Sequence, residues 1–170
     1  MRNRIMILAL VLLLGCVLPA CTSHEEDDVA SVLKTGDELV YQAIQTDSSS
    51  KLDEPKVTKI SSVKDLENYQ NKHKNRYYLD HPDMDPNFVT YVEQFDDDFF
   101  ADQVLLLVAF SDDIISTEYQ VTDITATDGD NAVIHISRDG YAFRNTSSAW
   151  HVIIQADKEF SEFKYDAVLA

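Results

Sequence analysis

The sequence predicts an α+β fold, with two or three short helices in the first half and an antiparallel β-sheet or sandwich in the second half. Three observations carry that expectation. Two stretches in the first half repeat apolar side chains at helical spacing, each beside a residue suited to capping. From Val104 onward the period changes to two, with one apolar run and several alternating segments. Between those segments Asp128-Gly129 marks a tight hairpin turn.

The chain opens with Arg2 and Arg4 ahead of an apolar run, Ile5 to Leu14. Two junctions of a small residue with cysteine follow, Leu13-Leu14-Gly15-Cys16 and Leu18-Pro19-Ala20-Cys21. A basic start, a short apolar core and a small residue before cysteine form a secretory signal of the bacterial lipoprotein type. Residues 1–20 are then the signal peptide, and Cys21 takes the lipid on its sulfur. Cys16 is the alternative lipidation site, less favoured because cleavage there leaves Val-Leu-Pro-Ala at the mature start. The apolar stretch is short of the ~20 residues of a spanning helix, and Gly15 and Pro19 interrupt it. The expected location is extracytoplasmic, anchored to the cell membrane.

Residues 21–36 read as the lipidated cysteine and an acidic tether, built around His24-Glu25-Glu26-Asp27-Asp28. A single domain is expected over 37–170. Leu39 to Thr46 alternates as a strand, and Val57 to Ile60 makes a second short one. Ser62 then caps a helix, with Asp65 three residues on and Val63, Leu66 and Tyr69 as its apolar stripe to about His73. Phe88, Tyr91, Val92 and Phe95 define the next helix, with Asp85 as cap and Pro86 in the first turn.

Val104 to Phe110 is apolar throughout, as a strand covered on both faces requires. Tyr119 to Ala126 is β-prone. Ala132, Ile134 and Ile136 alternate, then Trp150, Val152, Ile154 and Ala156, then Phe163, Tyr165, Ala167 and Leu169.

Charge narrows the function classes. The chain has 14 Lys+Arg against 30 Asp+Glu. Arg2 and Arg4 leave with the leader, so the mature part has 12 against 30 and a net charge of −18. Nucleic-acid binding needs a basic face and is excluded, as is adhesion to anionic lipid by charge. Both cysteines lie in the leader, so the mature chain has no disulfide, thiolate metal site or cysteine nucleophile.

Acidic clusters are the visible candidates for a metal. Asp83 and Asp85 follow His81-Pro82, and Asp96 and Asp98 belong to Asp96-Asp97-Asp98. Closely spaced carboxylates suit a hard cation, but the EF-hand spacing is missing, and one Asp of the second cluster is the natural cap of a helical turn. His135 and His151 fall on predicted strands, off the faces expected to be buried. On neighbouring strands they would form a cross-strand metal pair, and otherwise they are exposed polar residues. No Ser in a Gly-flanked elbow occurs, and no carboxylate pair stands out for acid–base work. No cofactor and no catalytic residue are expected.

Phe99-Phe100-Ala101-Asp102, the apolar strand Leu105 to Val108, and Trp150-His151-Val152-Ile153-Ile154 closing toward Asp157-Lys158 resemble a family of small lipoproteins of Gram-positive bacteria. Ile60-Ser61-Ser62 with Asp65-Leu66 resembles the same family's strand-to-helix step. More distantly, the domain is similar to the C-terminal domain of PrcB-type accessory subunits of bacterial protease complexes. That resemblance implies a small β-rich binding domain with no active site of its own. It carries over no functional residue except the lipidated cysteine. This chain departs from the family after the apolar strand, where Ser111-Asp112-Asp113-Ile114-Ile115-Ser116 replaces a Gly/Ser-rich turn.

The expected function is a lipid-anchored, non-enzymatic adaptor that binds a protein or peptide outside the membrane. A divalent-cation-binding surface lipoprotein is the first alternative and an envelope hydrolase the second.

Overall fold

The apolar run that starts at Val104 is the beginning of a 24-residue strand, β4 (Gln103–Ala126), in a computed structural model of the protein. The structure describes residues 30–47 and 51–170, with side chains outside 114–117 and 141–147. A 27-residue strand, β5 (Asn131–Asp157), returns antiparallel to β4. The expected turn joins them. Gly129 adopts φ +59°, the left-handed conformation that glycine takes without a Cβ penalty, and Thr127 N–H donates to Asn131 O at 2.9 Å.

The register of this long hairpin shifts at four places, and the largest shift lies between Asp112 and Ile114. Gln103↔Asp157 to Asp112↔Ser148 is continuous, and the next described pair is Ile114↔Phe143. Over that step β4 advances two residues and β5 five, a large bulge that divides the hairpin into two arms. On the first arm β3 (Lys56–Ile60) pairs with β4 and β2 (Val40–Thr46) pairs with β5, both antiparallel. On the second arm β1 (Ser31–Thr35) pairs antiparallel with β4, and β6 (Lys164–Leu169) pairs with β5. The whole is one hydrogen-bonded sheet of six strands.

The β5–β6 pairing is parallel, against the antiparallel expectation. A parallel neighbour requires a long return connection, and here the rest of β5 supplies it. The chain leaves the second arm at Ile136, runs down the first arm to Asp157, and comes back through a 3₁₀ turn at Lys158–Glu162. Another difference lies at the start. β1 falls within the stretch expected to be tether, because its ladder to β4 orders Ser31–Thr35 despite two exposed and two half-buried residues among its first four.

One core lies between the two arms. Val104, Leu106, Val108 and Phe110 from the first arm share a cluster with Tyr119, Val121, Ile124, Ile134 and Ile136 from the second. The other face of the first arm carries Leu105, Leu107 and Ile153, and three helices cover it. Val104 to Phe110 is therefore apolar at every position because both faces of this arm are buried.

The helices are α1 (Val63–Tyr77), α2 (Phe88–Val92) and α3 (Asp97–Asp102), all ahead of the long hairpin. Ser62 Oγ accepts from Asp65 N–H at 3.1 Å, the predicted cap. α1 continues past His73 because Tyr77 extends the Leu66–Tyr69 stripe by another two turns and is itself buried. In α2 the cap is Asn87, whose Oδ1 accepts from Thr90 N–H at 3.0 Å, rather than Asp85. The helix starts at Phe88, so only Asn87 stands three residues before a free amide. Phe95 lies beyond the helix but is buried with it. No helix among the described residues is long and apolar enough to cross a membrane.

Two glycines test this architecture differently. A Cβ on Gly36 would meet Val121 O at 2.4 Å and Thr122 O at 3.1 Å, both backbone atoms of β4. A Cβ on Gly129 would meet nothing, and only its φ opposes it. Gly129→Ala should cost about 1 kcal/mol, and Gly36→Ala should cost more, because β1 or β4 must move. Urea denaturation of the two variants checks the order.

Candidate functional site

Among the described residues β3 and β6, like β1 and β2, each have a hydrogen-bonded neighbour on one side only. They belong to different arms, and the fold of the hairpin brings them side by side. At one end the Lys59 ammonium reaches the Ser161 carbonyl just before β6 and closes the gap. At the other end, between the segment that precedes β3 and the second half of β6, lies a cleft of about 590 Å³, lined by residues 52–55, 110–111 and 166–169.

The floor of the cleft is apolar and the rim acidic. Leu52 (4% exposed) and Phe110 (1% exposed) form the base, and Leu52 N–H donates to Ser111 Oγ at 2.9 Å. Asp53 and Glu54 stand on the β3 side and Asp166 on the β6 side, all exposed. None of these three makes an ion pair among the described residues. Val168, on the β6 side of the lining, is 47% exposed.

A buried ionic group supports this floor. Asp112, buried, accepts from Tyr119 OH at 2.8 Å and from Arg138 Nη1 at 3.1 Å on each oxygen. Asp112 pairs with Ser148 on the first arm, whereas Tyr119 and Arg138 pair with each other on the second. The interaction thus spans the register break. Tyr119 also packs its ring on Phe110 and Trp150, at centroid distances of 4.9 and 4.7 Å.

On the opposite face of the first arm lies a second polar centre. His151 is fully buried, with Nδ1 3.0 Å from Thr46 Oγ1 and Nε2 2.8 Å from Tyr69 OH. The rings of Tyr77 and Phe88 meet it edge-on at 4.9 and 5.1 Å. Burial, and then the nearby His73, push the His151 pKa down to about 3, so the imidazole is neutral at physiological pH. Burial likewise raises the Tyr69 phenol and lowers His73, the latter with help from Lys72 and Arg76. A neutral imidazole offers one donor and one acceptor, which two hydroxyl groups satisfy. This centre holds α1 against the sheet and has no exposed reacting atom.

The candidates read from the sequence are mostly elsewhere. His151 is not exposed, because α1 and α2 cover the face it occupies. His135 and His151 do not form a cross-strand pair, since both lie on β5 in different arms. His135 instead has Nε2 3.0 Å from Thr125 Oγ1 and 3.7 Å from Asp123 Oδ1. Asp83 and Asp85 sit in the turn before α2, beside Gln42–Gln45 of β2. Asp96 caps α3, accepting from Phe99 N–H at 3.0 Å, and Asp98 lies exposed in its first turn. Among the described residues no group of three or more His, Cys, Asp or Glu side chains is placed to hold a metal. Cys16 and Cys21 lie outside the described residues.

The residues of the cleft escaped the sequence reading. One signal pointed to the ion pair next to it in the fold. Asp112 and Arg138 are opposite charges, each interrupting a β pattern, and a buried ion pair is one way such interruptions are accommodated.

Two outcomes follow from these centres. In the folded chain His151 titrates near 3, and in the unfolded chain near about 6.5. The unfolded state therefore takes up the proton first, and the stability from neutral burial is full above the upper value and lost as pH falls toward the lower. The folded protein should be about 2 kcal/mol less stable at pH 5 than at pH 7 through this group. His151→Gln should flatten that part of a pH series of urea denaturations, and an unchanged slope would assign it to other groups. Arg138→Met, which leaves the Asp112 carboxylate without its cation, should cost about 2 kcal/mol or more. Adding Asp112→Asn should recover part of that loss in the same assay.

Compared with protein-family models, curated proteins and solved structures, the chain matches none.

Proposed function

We propose that this chain is a lipid-anchored, extracytoplasmic binding module, without catalytic activity, that takes an extended protein or peptide segment into the cleft between Leu52–Pro55 and β6. The observation that carries this reading is a cleft with an apolar floor between Leu52–Pro55, just ahead of β3, and Asp166–Leu169 of β6, a strand paired on one side only among the described residues. Strand addition to an open edge draws affinity from main-chain hydrogen bonds, and a floor between the strands adds specificity through alternate side chains. Lys59 closes one end of the gap, so an incoming strand would enter from the Leu52–Pro55 and Asp166–Leu169 end. Anchoring enters through Cys21, behind Leu18-Pro19-Ala20, and the acidic stretch after it would hold the domain clear of the lipid surface.

Each half of the proposal has its own test. Metabolic labelling with a fatty acid should mark the full chain and the Cys16→Ala variant, and Cys21→Ala should lose the label. Peptides selected by display against the full chain should bind at one-to-one stoichiometry and shift the backbone amide resonances of 52–55 and 166–169. Val168→Trp, which places bulk at an exposed rim position, should weaken them about tenfold. Shifts confined to another face, or no peptide selected, would remove the cleft from the proposal.

A further inference from the structure

We infer that the segment bound in the cleft is a basic one, an extended peptide in which apolar residues alternate with Lys or Arg. This rests on the strand-addition reading and specifies its partner. An extended ligand points alternate side chains to opposite sides. One set would face the apolar floor of Leu52 and Phe110, and the other would face outward toward the rim.

The rim is where the charge lies. Asp53 and Glu54 on one side and Asp166 on the other place carboxylates on both banks, exposed and without an ion pair among the described residues. The nearby cations are committed or outside the cleft. Lys51 pairs with Asp113, and Lys59 is bound to the Ser161 carbonyl. Lys56 and Lys164, at the starts of β3 and β6, are not part of the lining.

Charge also decides against the other occupants. The segment Glu25-Glu26-Asp27-Asp28 of this chain is acidic and would meet like charge at both banks. A second copy of the chain would bring its own Asp53, Glu54 and Asp166 to the same rim, and a mature net charge of −18 opposes that approach. A basic peptide replaces repulsion with complementarity, which favours its encounter and its register.

The test uses the full chain in detergent and three fluorescent peptides of one length, in which Val alternates with Lys, Thr or Glu, followed by anisotropy. The Lys peptide should bind about tenfold more tightly than the Thr peptide, and the Glu peptide more weakly than both. Rising salt should erode the difference. In the variant Asp53→Asn/Glu54→Gln/Asp166→Asn the ratio of Lys-peptide to Thr-peptide affinity should fall to about one. Equal binding of all three peptides to the wild type overturns the inference and leaves the cleft reading standing. A Lys preference that survives in the variant also overturns it, because the overall charge would then be the source. Binding of no peptide at all overturns the cleft reading itself, and this inference with it.

Discussion

The hydrogen bonds that Asp112 accepts from Arg138 and Tyr119 tie together the two ends of a break in the hairpin register, and the rest of the fold depends on that break. Strands of 24 and 27 residues in continuous register would make a long ribbon with two exposed faces. The bulge between Asp112 and Ile114 lets the second arm turn back over the first, so that Phe110 and Tyr119 become neighbours in one core. A buried carboxylate is costly unless its oxygens are occupied. Here the hydroxyl and the guanidinium that occupy them both come from the other arm. Lys34 of β1 and Asp157 at the end of β5 make a second link between arms at 2.7 Å, but that pair is exposed and contributes little.

The same turn-back creates the cleft. β3 belongs to the first arm and β6 to the second, and only the folded hairpin sets their free edges next to each other. An open strand edge invites indiscriminate pairing, and charged side chains are a common protection. Asp53, Glu54 and Asp166 place carboxylates at the rim of the cleft beside β6.

The helical layer has a different basis. α1 and α2 cover the outer face of the first arm through Leu66, Tyr69, Tyr77, Phe88 and Val92, with His151 enclosed among three of those rings. Thr46 from β2 and Tyr69 from α1 satisfy the two ring nitrogens, so the imidazole joins a strand, its neighbour and a helix through one polar group. Its neutrality is a consequence of that enclosure. Neither α2 nor α3 exceeds six residues, which is too short for independent stability, so burial rather than propensity holds them.

Local chemistry and periodicity were legible in the sequence by themselves. Ser62, the Asp128-Gly129 turn and the run Val104–Phe110 each specify their structure through neighbours in the chain, by a cap, a left-handed glycine and burial on both faces. The helices-first order followed from the same patterns. What only the tertiary structure decided are features that depend on residues far apart. Alternation in β5 could not reveal that His151 would be buried, because α1 supplies the second covering layer. It could not reveal that β6 would run parallel, because the crossover is the strand itself. The cleft was invisible for the same reason: Asp53 and Asp166 look like ordinary solvated charges until the turn-back sets the segment ahead of β3 beside β6. Hydrogen bonding and burial within one segment leave a periodic trace, whereas the meeting of two distant edges leaves none.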